Sequence, residues 1–95
     1  MSEAMTSLLL KMMELAISKL HDVGDTHWAA WLENDHDLIA AGDVRGLAHF
    51  RDAFGGMGSI NNSYPQDDPE IGTHLAAIYR IAGKLLGQLA TPPGN

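Results

Sequence analysis

Ala53-Phe54-Gly55-Gly56-Met57-Gly58-Ser59-Ile60-Asn61-Asn62 is the stretch on which the reading of this chain turns. A helix reaching Phe54 must stop there, because two consecutive glycines lose more backbone entropy than a helix interior tolerates. Met57 and Ile60 are apolar, so the loop is expected to dock on a core instead of extending into solvent. Glycine at Gly55, Gly56 and Gly58 lets backbone approach something closely, either the protein itself or a ligand. The loop resembles a phosphate cradle in composition alone. It lacks the preceding strand, the following helix N-terminus and the lysine that such a cradle uses.

Working outward, helices are expected on both sides. Upstream, Gly42 closes one helix and Asp43 caps the next, which spans Val44 to Phe54 and turns Val44, Leu47, Phe50 and Phe54 inward. His49 and Asp52 on it form an ordinary i, i+3 helical pair. Before that, Asp25 caps a helix from Thr26 to about Ala41, with Trp28, Trp31, Leu32, Leu38 and Ile39 on one face. Asp35 falls within this apolar face and has to be satisfied. It either reaches solvent at the boundary or accepts hydrogen bonds from the glycine-rich loop.

At the N-terminal end, Ser7, Lys11, Glu14, Ser18 and Asp22 form one narrow polar stripe on a helix that Gly24 ends. Its apolar face is wide enough for a central helix, or for one side of a homodimer through Leu10 and Leu15. Downstream, 61–68 reads as a surface connection. Asp68 then caps the last helix, with Pro69 at its first position. Ile71, Leu75, Ile78, Ala82, Leu85, Leu86 and Leu89 make its buried face, and Arg80 and Lys84 point outward. The fold expected is all-α: a compact four-helix domain over 1–90, the glycine-rich loop docked between the third and fourth helices, and a disordered tail over 91–95.

Composition narrows the function. The 95 residues contain no cysteine and carry a formal net charge of −6. Thiolate metal sites and cysteine nucleophiles are excluded, and nucleic acid and anionic membranes are disfavoured as partners. No signal peptide or membrane span is expected, and a cytoplasmic location is the default. Glu33 and His36 have the Glu-x-x-His spacing of carboxylate di-metal bundles, but one copy does not build such a site, so no metal, cofactor or enzymatic activity is expected. Charge is the stronger signal. Between Lys19 and Arg45 lie Asp22, Asp25, Glu33, Asp35, Asp37 and Asp43 with no lysine or arginine. Such a run is either a solvated face or a surface complementary to a basic partner.

His27-Trp28-Ala29-Ala30-Trp31-Leu32, Ala41-Gly42-Asp43 with Gly46-Leu47, and Ala53-Phe54-Gly55-Gly56-Met57-Gly58-Ser59-Ile60-Asn61 together resemble a small bacterial all-helical family over roughly residues 8 to 64. The glycine–methionine–glycine–serine run is its most specific part. The family's pattern carries an aspartate where this chain has Asn62. The resemblance implies no catalytic residue, and it implies the kind of solitary small protein associated with toxin–immunity loci. Taken with the charge, it leads to the expectation of an immunity protein that covers the active site or substrate surface of a cognate toxin. That toxin would be a basic nuclease or a nucleotide-transferring enzyme. Contacts are expected at Asp25, Trp28, Glu33, Asp37, Met57, Ser59, Asn61, Asn62 and Tyr64, with Asp35, Gly55, Gly56 and Gly58 structural. The alternatives are a homo-oligomeric adaptor module and a small ligand-binding protein that uses the glycine-rich loop.

Overall fold

Two Gly-Asp pairs punctuate the first half of the chain. Gly24 and Gly42 adopt φ of +79° and +84°, where a side chain would be strained. Behind each glycine the chain closes in the same way. Asp25 N–H donates to the Leu20 carbonyl and Gly24 N–H to that of His21; Asp43 N–H donates to Leu38 and Gly42 N–H to Ile39. These paired bonds consume the carbonyls left over at a helix C-terminus. Each aspartate then serves the next helix: Asp25 Oδ1 accepts from Trp28 N–H at 3.1 Å, and Asp43 Oδ1 accepts from Arg45 N–H at 3.0 Å. The bidentate Arg45 guanidinium holds the Asp43 carboxyl down at about 2.

The computed structural model describes residues 3–55 and 58–90, and all the regular structure among them is helical. It comprises α1 (Glu3–Asp22), α2 (Thr26–Ala40), α3 (Arg45–Arg51), α4 (Ile60–Ser63) and α5 (Gly72–Ala90). α1 packs on α2 and α5, and α3 packs on the same two, so four helices close a ring around one core. Lys19 meets Glu70 and Met5 meets Gln88, which makes α1 and α5 antiparallel. The radius of gyration is 13.1 Å, close to the roughly 12 Å of a compact globule this long.

Periodicity chooses the core. Leu9, Met13, Ala16 and Leu20 recur at four, three and four along α1, and Ile71, Leu75, Ile78, Ala82 and Leu85 do the same into and along α5. Trp28, Leu32 and Ile39 from α2, Leu47 and Phe50 from α3, and Ile60 complete it.

Five helices stand where four were expected. The addition is α4, a single turn inside the segment read as a surface connection. Its Ile60 is fully buried, and Ile60 N–H donates to the Ala53 carbonyl at 2.9 Å. α3 is shorter than expected because residues 52–54 tighten: Ala53 N–H reaches Phe50 and Phe54 N–H reaches Arg51, three residues back. Val44 is exposed, since it precedes the first turn that packs. Leu89 is exposed too, because Gln88 is already level with the first turn of α1. Leu10 is only partly buried; Leu8 and Leu15 are the leucines that α1 turns to solvent. Asp68 caps as expected, but Ile71 and Gly72 are its donors and a turn over 69–71 precedes α5. Those backbone donors, Gly72 first, hold its carboxyl below the usual range. The tail over 91–95, Gly56 and Met57 lie outside the described residues.

The glycines sort by backbone. Nothing lies within 4 Å of a methyl group added at Gly24, Gly42 or Gly87. Gly24→Ala and Gly42→Ala should each lower stability by about 1 kcal/mol through φ alone. Gly87→Ala, inside α5, should raise it by up to about 1 kcal/mol. Urea unfolding of the three variants checks both signs.

Candidate functional site

Asp35 sits one helical turn past Trp31 on the inner side of α2, and no part of it reaches solvent. Desolvation dominates its titration and raises its pKa, against the opposing pull of His49 and Asn34. The His49 ring from α3 meets Asp35 Oδ1 at 2.5 Å through Nδ1, and Asn34 Nδ2 donates to the same oxygen at 3.4 Å. An ionised carboxylate can only accept, so His49 Nδ1 then carries the hydrogen. Trp31 holds His49 at both its ring and its backbone. The two rings stack with centroids 4.3 Å apart and 14° between planes, and Trp31 Nε1–H donates to the His49 carbonyl at 3.3 Å. The histidine remains 43% exposed. Asp35 Oδ2 is buried with no hydrogen-bond partner.

Both expectations for Asp35 are corrected here. It neither reaches solvent nor takes donors from the glycine-rich loop; α3 supplies the donor. His49 pairs with Asp35, not with Asp52, because the inner faces of α2 and α3 meet at Gly46. A methyl group there would stand 2.9 Å from the Asp35 carbonyl oxygen. Spacing along α3 pointed His49 to Asp52, and nothing local to that helix showed that Asp35 of α2 faces it. The available signal was an acid on an apolar face, which obliges a donor on the facing helix.

The other expected contacts divide among different surroundings. Trp28 is only 8% exposed and belongs to the core, so it cannot anchor a partner. Asp25 is occupied internally, capping α2 with one oxygen and accepting from Tyr64 Oη–H at 2.6 Å with the other. Burial, with Asp25 beside it, pushes the Tyr64 phenol up to about 12. Ser59 is buried, and its hydroxyl donates to Asn61 Oδ1 at 2.6 Å. The same oxygen accepts from Gly55 N–H at 3.0 Å, so Asn61 staples the loop whose Gly55 and Gly58 take positive φ. Asn62 is exposed.

Glu33 and Asp37 do face outward, Asp37 at 84%. Each is met by a histidine. His21 Nε2 lies 2.6 Å from Glu33, while His36 reaches Glu14 on α1 at 2.8 Å and Asp37 at 3.3 Å. The Glu-x-x-His pair therefore separates, with each member turned to a different residue. Among the described residues, no cluster of three or more His, Asp or Glu side chains could hold a metal ion. Of the six acids between Lys19 and Arg45, only Asp22, Glu33 and Asp37 form exposed acidic surface. Asp35 is buried, and Asp25 and Asp43 are partly buried and occupied as caps.

A cleft of about 460 Å³ lies between the segment after α3 and the first half of α5. Phe54, Tyr64 and Tyr79 give it aromatic walls, and Ala76 and Arg80 line it from α5. Arg51 lies over Tyr79, its guanidinium carbon 4.1 Å from the ring centre. No helix among the described residues is long and apolar enough to cross a membrane.

Two outcomes are expected. His49→Ala leaves Asp35 with one weak donor and should lower stability by about 1–3 kcal/mol, part of which Asp35→Asn in the same chain should restore. For His36, burial of the ring opposes its charge, but Glu14 and Asp37 outweigh it and raise its pKa. Its contribution is complete below the unfolded value of 6.5 and disappears as pH rises through the higher folded value. His36→Asn should therefore destabilise by less than about 1 kcal/mol in mild acid, its partners being largely exposed, and by almost nothing in alkali. Thermal melts across pH check the sign.

Nothing among curated proteins or solved structures matches the chain. The profile of one family, described as a domain of unknown function (DUF6966), matches residues 21–68. That segment runs from the end of α1 to Asp68 and contains Asp25, Trp31, Asp35, His49 and the whole glycine-rich stretch. With just over half of its length matched, the chain belongs to the DUF6966 family.

Proposed function

We propose that the protein is a cytoplasmic inhibitor of the immunity type, which binds a cognate bacterial toxin and covers its active site or substrate surface without chemistry of its own. The observation that supports this most is the outer surface shared by α1 and α2. Asp22, Glu33 and Asp37 are exposed there with Glu14, and no lysine or arginine occurs between Lys19 and Arg45. His21 and His36 tether three of these carboxylates, which reduces the side-chain freedom lost on binding. A basic cleft, such as that of a nuclease or an ADP-ribosyltransferase, is complementary to such a surface. The resemblance to proteins of toxin–immunity loci points the same way.

A second reading, self-association through α1, is favoured by Leu8 and Leu15, which are 51% and 54% exposed two turns apart.

Co-expression with the products of neighbouring genes, followed by pull-down at low and high salt, tests the first reading. A one-to-one complex that weakens with salt is expected. Glu33→Lys with Asp37→Lys should slow association about tenfold or more and leave the melting temperature almost unchanged. Binding indifferent to both charges would sink the acidic-surface proposal. A dimeric mass abolished by Leu8→Glu and Leu15→Glu would favour self-association.

A further inference from the structure

The cleft beside α5 joins aromatic walls to a cationic side chain. Its volume of about 460 Å³ falls within the range of small-molecule sites. The space exists because α5 presents Ala76 one turn after Gly72, and Gly72 itself lies so close to the Pro65 carbonyl that no side chain fits there. Phe54 and Tyr79 are tilted together with ring centroids 4.6 Å apart, and Tyr64 is held in place by its bond to Asp25. Asn61 and Gln66 contribute amides.

The charge of the cleft opposes that of the molecule. In a chain of net charge −6, the charged side chain that lines the cleft among the described residues is the guanidinium of Arg80, and none of the described carboxylates lines it. Arg80 is exposed and forms no ion pair among the described residues. Arg51, outside the lining of the cleft, lies over Tyr79 with its Nε buried and without a hydrogen-bond partner. Two acids lie beside Tyr64 and both are engaged: Asp25 by Tyr64 and by the cap of α2, and Asp68 by the backbone N–H groups of Ile71 and Gly72.

We propose that this cleft binds a small aromatic anion: a planar ring held among Phe54, Tyr64 and Tyr79, with its carboxylate or phosphate paired to Arg80. Stacking supplies the apolar part, and a fork of guanidinium donors suits either acid group. The site uses neither Glu33 nor Asp37, so it stands or falls separately from the inhibitor reading.

The test is an amide NMR titration of the full chain with two probes, adenosine monophosphate and indole-3-acetate. Adenosine, indole, phosphate and acetate serve as controls. At least one aromatic anion should give saturable shifts at Asn61, Tyr64, Ala76 and Arg80, with a Kd of about 1 mM or tighter. Preference for the nucleotide assigns the site to phosphates, and preference for the indole acid assigns it to carboxylates. Arg80→Ala, on the surface, should weaken binding about tenfold, and Ala76→Phe should abolish it while the spectrum stays dispersed. If Ala76→Phe does not fold, Arg80→Ala decides alone. No saturable shift with either probe, equal binding of the uncharged analogues, or indifference to Arg80→Ala would overturn the proposal.

Discussion

A carboxylate without contact to water has to be given a donor, and in this chain that obligation joins α2 to α3. Asp35 accepts from His49 and Asn34, and burial still prevails in raising its pKa. Trp31 stacks on one face of the imidazole and anchors the α3 backbone at the His49 carbonyl. Gly46 admits the backbone of α2 at this junction. Phe50 and Ile60 enter one core with the buried side chains of α2 and α3.

Local chemistry prepares this arrangement. The same closure occurs after α1 and after α2: a left-handed glycine, two bonds back to the helix end, and an aspartate that starts the next helix. Short connections of this kind make successive helices neighbours, so α1, α2 and α3 pack in chain order. α5 then closes the ring antiparallel to α1. The glycine-rich stretch is held from within by Asn61, which accepts from Gly55 and Ser59.

What could be read from the residues alone followed from whether a feature was local. Helix ends at Gly24 and Gly42, the caps at Asp25 and Asp68, and the inner face of α5 as far as Leu85 all depend on neighbours within a few positions. They were legible. The fate of Asp35 was not, because its donor lies 14 residues away on another helix and no pattern along one helix reveals which face meets it. The same holds for Trp28, whose aromatic character suits an interface and a core equally, and for the cleft, which needs α5 brought against Phe54 and Tyr64. The acidic run was visible as composition, yet folding removes Asp35 from the surface and occupies Asp25 and Asp43, so the charge left for a partner is concentrated at Asp22, Glu33 and Asp37.

The dependence of the fold on a buried carboxylate is tested most directly by following the side-chain carboxyl carbons of the aspartates through a pH titration by NMR. Asp35 should titrate above the 3.8 of a free side chain. Its transition should be shared by the ring signals of His49. An Asp35 that titrates at or below 3.8, with no accompanying change in the His49 ring signals, would place it in water and contradict the account.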